Sequence, residues 1–292
     1  MVSRTIFFAV PSAPRFDSPV TYADLQIDVR GPDDGPPVVL LHGWGSHARN
    51  MKPVADALSD RYRTHRVDLP GHGESPPPPA PWGVPEHADL ILAYIKEQIG
   101  QPVTIFGHSN GGRIGLFMAA TDPYAGAVAR LVLVSPSGIT PERSWSTRAK
   151  ATLAQVLKAP ITALPSPIRE PAEDWLRHSV VWRALGSSDY NQASGVMRET
   201  FVKTVTHTLD GPVHRIDIPT LIFWGTEDTA VTRGQIDALE QALSDCGVVP
   251  LEGAGHYGYL DEPSTVISAT RHFLENTPAH VEDEETAGSA AG

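Results

Sequence analysis

The sequence predicts an α/β protein: a doubly wound, mostly parallel β-sheet with helices on both faces. Three observations carry this. Short apolar runs alternate with segments of helical period along the chain. The runs at 38–41, 103–106, 131–134 and 220–224 are apolar or nearly so at successive positions, as strands covered on both faces must be. Polar residues suited to chemistry follow those runs, at the carboxyl ends where such sheets bind ligands.

Residues 6–10 read as a first strand, followed by a Pro/Ser-rich connection over 11–19. In 25–29, Leu25, Ile27 and Val29 alternate with polar residues, the pattern of a half-exposed strand. A turn cluster at 31–37 leads into the buried-type strand 38–41, which ends in His42-Gly43-Trp44-Gly45. A helix is expected over 51–58 and a strand over 63–69, ending in Asp68-Leu69-Pro70-Gly71-His72. Residues 76–81 hold five prolines and can only be loop or polyproline II. Leu90, Ile91, Tyr94 and Ile95 sit at helical spacing within 86–99. The strand 103–106 runs into Gly107-His108-Ser109-Asn110-Gly111, with a small-residue helix expected from 112 to 120. The strand 131–134 ends at Ser135-Pro136.

From about 138 to 211 strand character disappears. Trp145, Trp175, Trp182 and aliphatic residues lie in helix-like stretches punctuated by prolines, the pattern of a helical insertion. Strand character returns at 220–224, followed by Gly225-Thr226-Glu227-Asp228. A helix over 236–243, a last strand over 246–251, the loop Gly253-Ala254-Gly255-His256 and a closing helix over 265–274 complete the body. The expected organisation is a core domain in two parts, 1–137 and 212–276, an inserted helical segment at 138–211, and an acidic tail at 277–292 without apolar content.

Bulk properties narrow the function. At 292 residues the chain can bury a sizeable core. A net charge of −11 argues against a nucleic-acid partner, which needs clustered Lys and Arg. Cys246 is the single cysteine, so neither a disulfide framework nor a thiolate metal cluster is expected. The run 6–10 is shorter than a secretory h-region of roughly 7–15 residues, and no apolar stretch reaches the ~18 residues that would span a bilayer. A cytoplasmic location without membrane insertion is the expectation.

Gly107 to Gly111 fit G-x-S-x-G, the nucleophile elbow, in which a serine sits on a strained strand-to-helix turn flanked by glycines. A serine hydroxyl needs a base and a carboxylate to orient that base. His256 is the expected base, since it follows the last strand in a Gly-rich loop, whereas His272 falls mid-helix. Asp228 is the expected acid in preference to its neighbour Glu227. The other acid position in such sheets, after 131–134, holds Ser135-Pro136-Ser137 and no carboxylate. The order Ser109, Asp228, His256 is the one this elbow requires. The backbone N–H groups of Asn110 and Trp44 are expected to form the oxyanion hole. The pocket is expected to draw on His42, Trp44, Trp145 and Trp182.

These stretches resemble the α/β-hydrolase fold superfamily: Leu40-Leu41-His42-Gly43-Trp44-Gly45, Val67 through Ser75, Gly107 through Gly112, Trp224 through Asp228, and Gly255-His256. The resemblance spans roughly 20–276. It implies Ser109 as nucleophile, Asp228 and His256 completing a triad, and 138–211 as a helical cap over the site. It gives His72 no catalytic role. Branches of the family that form alkyl–enzyme esters carry Asp at the elbow, and Ser109 argues against them. The implied activity is hydrolysis of a carboxylic ester, lactone or thioester of a small, largely apolar molecule, with no cofactor and no metal. C–C bond hydrolysis of β-diketone-type substrates, cofactor-free haloperoxidase or perhydrolase activity, and a ligand receptor on the same fold are the alternatives. His42-Gly43-Trp44-Gly45 is also similar to a stretch of a biosynthetic methyl esterase for carrier-bound acids, over four residues.

Overall fold

The computed structural model describes residues 20–140 and 193–278. The expected strand at 6–10, most of the expected insertion (including Trp145 and Trp182) and nearly all of the acidic tail lie outside the described residues.

Seven strands form one sheet: β1 (Ile27–Arg30), β2 (Pro37–Leu41), β3 (Arg63–Val67), β4 (Val103–His108), β5 (Val128–Val134), β6 (Thr220–Gly225) and β7 (Cys246–Leu251). Their order is β1-β3-β2-β4-β5-β6-β7, with β1 antiparallel to β3 and every other pairing parallel. This is the doubly wound, mostly parallel sheet that the sequence predicts.

The alternation of side chains along a strand explains why the central strands are apolar throughout. Val39 and Leu41 of β2, Ile105 of β4, Leu131 and Leu133 of β5, and Ile222 of β6 face one core. Val38 and Leu40, Phe106, Val132 and Val134, and Leu221 and Phe223 face the other. The first core is closed by α2 (Val84–Tyr94), α3 (Asn110–Ala120) and α5 (Arg233–Ala242), through residues such as Ile91, Ile114 and Leu239. The second is closed by α1 (Lys52–Leu58) and α7 (Pro263–Asn276), through Val54, Leu58, Val266 and Leu274. A short helix, α6 (Gly258–Asp261), precedes α7, and α4 (Gly195–Thr206) lies between β5 and β6 in sequence.

Three of the boundaries that differ from the sequence expectation have a clear local cause. The helix after the elbow begins at Asn110 rather than at 112, because Ser109 itself completes the turn, with φ 49° and ψ −108°. The expected helix 86–99 stops being α-helical at Tyr94. It continues as a π-helical turn, Ile95–Ile99, which ends at Gly100 with φ 73°. The first described strand begins at Ile27, and Leu25 instead closes a preceding 3-10 turn and packs into the core.

α4 is anchored to the core. Thr200 Oγ1 accepts the Trp82 N–H at 3.1 Å, and Arg113 on α3 donates to the Thr204 carbonyl. Residues at 138–140 are tied to 209–210: the Leu209 N–H donates to the Gly138 carbonyl at 2.9 Å, and Thr140 donates twice to Asp210. Among the described residues no helix is long and apolar enough to cross a membrane.

Candidate active site

The sheet delivers His42, Asp68, Ser109, Asp228 and His256 to one edge, each just beyond the carboxyl end of a parallel strand. Ser109 sits between β4 and α3. The chain reverses there in so little space that the flanking glycines have no room for a side chain. A Cβ on Gly107 would lie 2.7 Å from the Gly112 Cα, and one on Gly111 would lie 2.0 Å from the Leu41 carbonyl oxygen. The second contact means that the elbow packs directly on the end of β2, the strand that leads into His42-Gly43-Trp44-Gly45. The turn is held by Ser109 N–H donating to the Val134 carbonyl, and by Arg113 and Ser137 N–H groups donating to the Ser109 carbonyl.

Asp228 and His256 are brought together. His256 Nδ1 and Asp228 Oδ2 lie 2.9 Å apart, and the Asp228 side chain is completely enclosed. The other carboxylate oxygen, Oδ1, accepts the Ala230 and Val231 N–H groups at 2.7 and 3.0 Å. Burial by itself would raise the Asp228 pKa. The His256 ring, the Val231 N–H and the Ser135 hydroxyl outweigh burial and leave the carboxyl below its ordinary value. Glu227 does not join this network, and its N–H donates to the Ala254 carbonyl. Among the described residues no hydrogen bond is formed between Ser109 and His256, a contact that in unliganded sites often tightens only with substrate.

The N–H groups of Trp44 and Asn110 have no protein acceptor among the described residues. Asn110 N–H is at the first position of α3, where helical geometry leaves it without an intrahelical partner. The Trp44 ring is clamped between His72, edge-on at 4.8 Å, and Phe201 of α4 at 5.1 Å. A crevice of about 380 Å³ borders it, lined by Trp44, Ser46, His47, His72, Ser194 and Met197.

Among the described residues His42, expected to line the pocket, is not at the crevice beside Trp44. It is 0% exposed, with Nδ1 on the Gly43 carbonyl at 2.7 Å and Nε2 accepting the Leu69 N–H at 3.0 Å. It braces the loop after β2 against the loop after β3. Burial pushes its pKa down to about 3, so the ring is neutral. Asp68 is also committed to the loops, accepting the N–H groups of Ala48 and Glu74.

Sequence reasoning missed His108. Its Nε2–H donates to the His256 carbonyl at 3.0 Å, and its ring lies 4.9 Å from that of His256 and 5.1 Å from Tyr259. A Cβ on Gly43 would come within 2.8 Å of His108 Nδ1, so this ring meets the loop after β2 as well. Burial takes the His108 pKa down to about 3. The elbow pattern leaves its second position unspecified, and no sequence signal marks this residue as a bridge.

A sequence model of the alpha/beta hydrolase fold matches residues 36–263. The chain belongs to the α/β-hydrolase fold family. It is 28% identical over 257 residues to a pimeloyl-[acyl-carrier protein] methyl ester esterase of Chromobacterium violaceum, covering 82% of this chain and 95% of the relative. The enol-lactonase of Burkholderia xenovorans LB400 superposes with a TM-score of 0.63 at 23% identity, covering 86% and 96% of the two chains. A putative non-heme bromoperoxidase of Mycobacterium tuberculosis does so with 0.64 at 22% identity, covering 87% and 97%.

Proposed function

We propose that this chain is a serine hydrolase that cleaves a carboxylic ester of a small, largely apolar molecule through an acyl-enzyme on Ser109. The observation that carries the reading is the enclosed Asp228 carboxylate bonded to His256 Nδ1 at the sheet edge that holds the strained Ser109. The esterase named among the relatives supports the ester class.

In this reading Ser109 Oγ attacks the ester carbonyl while His256 Nε2 takes its proton. Asp228 keeps the proton on Nδ1, which leaves Nε2 as the acceptor, and stabilises the imidazolium that forms. The carbonyl oxygen becomes an oxyanion and takes the N–H groups of Trp44 and Asn110. One such donor lowers the barrier by about 3–4 kcal/mol. Collapse expels the alcohol, which receives the proton from His256. Water then repeats the sequence on the acyl-enzyme and restores Ser109. The Trp44 ring forms one wall of the acyl site.

A fluorophosphonate probe tests the nucleophile, and p-nitrophenyl esters of increasing acyl length test the substrate class. Wild-type protein labels at Ser109 and turns over short esters, and Ser109→Ala does neither. Turnover that survives Ser109→Ala overturns the proposal.

A further inference from the structure

His108 is the last residue of β4 and the one before Ser109. Side chains alternate along a strand, so His108 continues the row of Phe106, which enters the second core. A polar ring enclosed in such a row is costly unless it is hydrogen-bonded. His108 is 1% exposed, and three rings close around it: those of His256 at 4.9 Å, Tyr257 at 4.8 Å and Tyr259 at 5.1 Å.

Its hydrogen bond goes to the backbone of the expected base. Nε2 lies 3.0 Å from the His256 carbonyl, which can only accept, so Nε2 carries the proton. Burial pushes the pKa of the ring down to about 3, so it stays neutral and keeps this tautomer.

The His256 loop has glycine at 253, 255 and 258, and among the described residues His256 itself makes no backbone–backbone hydrogen bond. Asp228 fixes the His256 ring at Nδ1. That bond leaves free the backbone from which the side chain springs. A base must be held at both ends for its Nε2 to keep a set distance from the nucleophile, and a misplacement of about 1 Å can cost roughly 10²-fold in rate.

The same ring meets the loop after β2. A Cβ on Gly43 would lie 2.8 Å from His108 Nδ1 and 3.1 Å from the Ser109 Cβ. Gly43 precedes Trp44, whose N–H is an expected oxyanion donor. His108 therefore touches the base loop and the oxyanion loop, and its backbone is joined to the nucleophile. We infer that His108 is a positioning residue for acyl transfer: its Nε2–H holds the His256 carbonyl, and its ring spaces the His256 loop from the Trp44 loop, so that base, nucleophile and oxyanion donor keep one geometry. The inference rests on the serine-hydrolase reading above.

Three variants separate the donor from the ring. His108→Phe keeps a ring without the donor. His108→Gln keeps a donor at similar reach without the ring. His108→Met has a shape close to that of Gln and no donor. Each is measured by p-nitrophenyl ester kinetics, by inhibition with a boronic acid that forms a tetrahedral adduct on Ser109, and by thermal melting. His108→Phe and His108→Met are expected to lose roughly tenfold or more in kcat, with KM within about twofold, and to bind the boronic acid more weakly by a similar factor. His108→Gln is expected to recover most of that loss. A folded His108→Phe with kcat within about twofold of wild type overturns the inference, as does a His108→Gln no faster than His108→Met. If His108→Phe does not fold, the Gln and Met pair decides. Failure of all three to fold also overturns it, since His108 would then serve the fold alone. Wild-type protein that fails to label with a fluorophosphonate at Ser109 overturns the hydrolase reading instead, and this inference with it.

Discussion

Lowering the pH from 7 to 5 should remove most of the stability of this fold. Four histidines are buried as neutral rings: His42 and His108, with pKa values pushed down to about 3, and His65 and His87, at about 4. Burial is the first cause for each; the carbonyls of Gly43, Gly83 and His256 oppose it at His42, His87 and His108 without reversing it. His42 has its second nitrogen facing the Leu69 N–H, where an added proton would meet a donor. Among the described residues the second nitrogens of His65 and His87 and the Nδ1 of His108 are buried without an acceptor. In the unfolded chain each ring takes up a proton near pH 6.5. A depressed histidine pKa therefore gives stability that is fully present above about 6.5 and is lost as the pH falls toward the folded-state value. At pH 5 the unfolded state gains about 2 kcal/mol per ring, or about 8 kcal/mol for four. A domain of ordinary stability has about 5–15 kcal/mol to lose. Urea denaturation at pH 7, 6 and 5 measures this, with a slope approaching about 5.5 kcal/mol per pH unit as four protons are taken up. Carboxyls with lowered pKa values, such as Asp228, Asp210 and Glu86, keep their contribution above about pH 4 and lose it only below, in a separate window. His65→Gln removes one titrating ring and should reduce the slope by about 1.4 kcal/mol per pH unit. A midpoint that stays constant from pH 7 to 5 would refute the reasoning, because the rings would then not be held neutral by the fold.

Asp228→Asn keeps the shape of the carboxylate but can present an N–H to His256 Nδ1, favouring the wrong tautomer. Ester turnover should fall by about 10⁴-fold, with the melting temperature little changed, as steady-state kinetics and calorimetry would show. Gly111→Ala drives a Cβ to 2.0 Å from the Leu41 carbonyl oxygen, which neither backbone can yield. It should cost about 3 kcal/mol or more in chemical denaturation and abolish labelling of Ser109. Trp44→Ala removes the ring contacts with His72 and Phe201, at about 0.5–1.5 kcal/mol each, and opens the acyl site. A panel of p-nitrophenyl esters should then show the preferred acyl chain lengthening, and an unchanged preference would exclude Trp44 from the acyl wall.

Much of this architecture is legible in the sequence, and particular residues show why. The runs at 38–41, 103–106, 131–134 and 220–224 announce strands covered on both sides, and each falls in a strand whose alternate residues enter opposite cores. Strand direction then fixes which end of each run faces the ligand. Asp228 and His256 could therefore be placed at one edge from local pattern alone, although 28 positions separate them. The boundary errors have local causes. The helix after the elbow begins two residues before the expected 112, and Gly111 is tolerated in α3 because its missing side chain admits the Leu41 carbonyl.

His42 marks the limit of that reading. A histidine at the end of a strand, beside a glycine-rich loop, has the sequence signature of a pocket residue. Its enclosure by the Gly43 carbonyl and the Leu69 N–H depends on a chain segment 27 positions away. His108 errs in the opposite direction. It occupies the unspecified position of the elbow. The His256 carbonyl that His108 meets comes from the loop after another strand. The sequence alone determined the sheet, its direction, and the residue types present at the carboxyl ends of its strands, because periodicity and turn chemistry act over a few neighbouring residues. Which side chains are buried, which are bonded across loops and which are left strained was decided by tertiary packing, because burial and long-range hydrogen bonding depend on segments that only folding brings together.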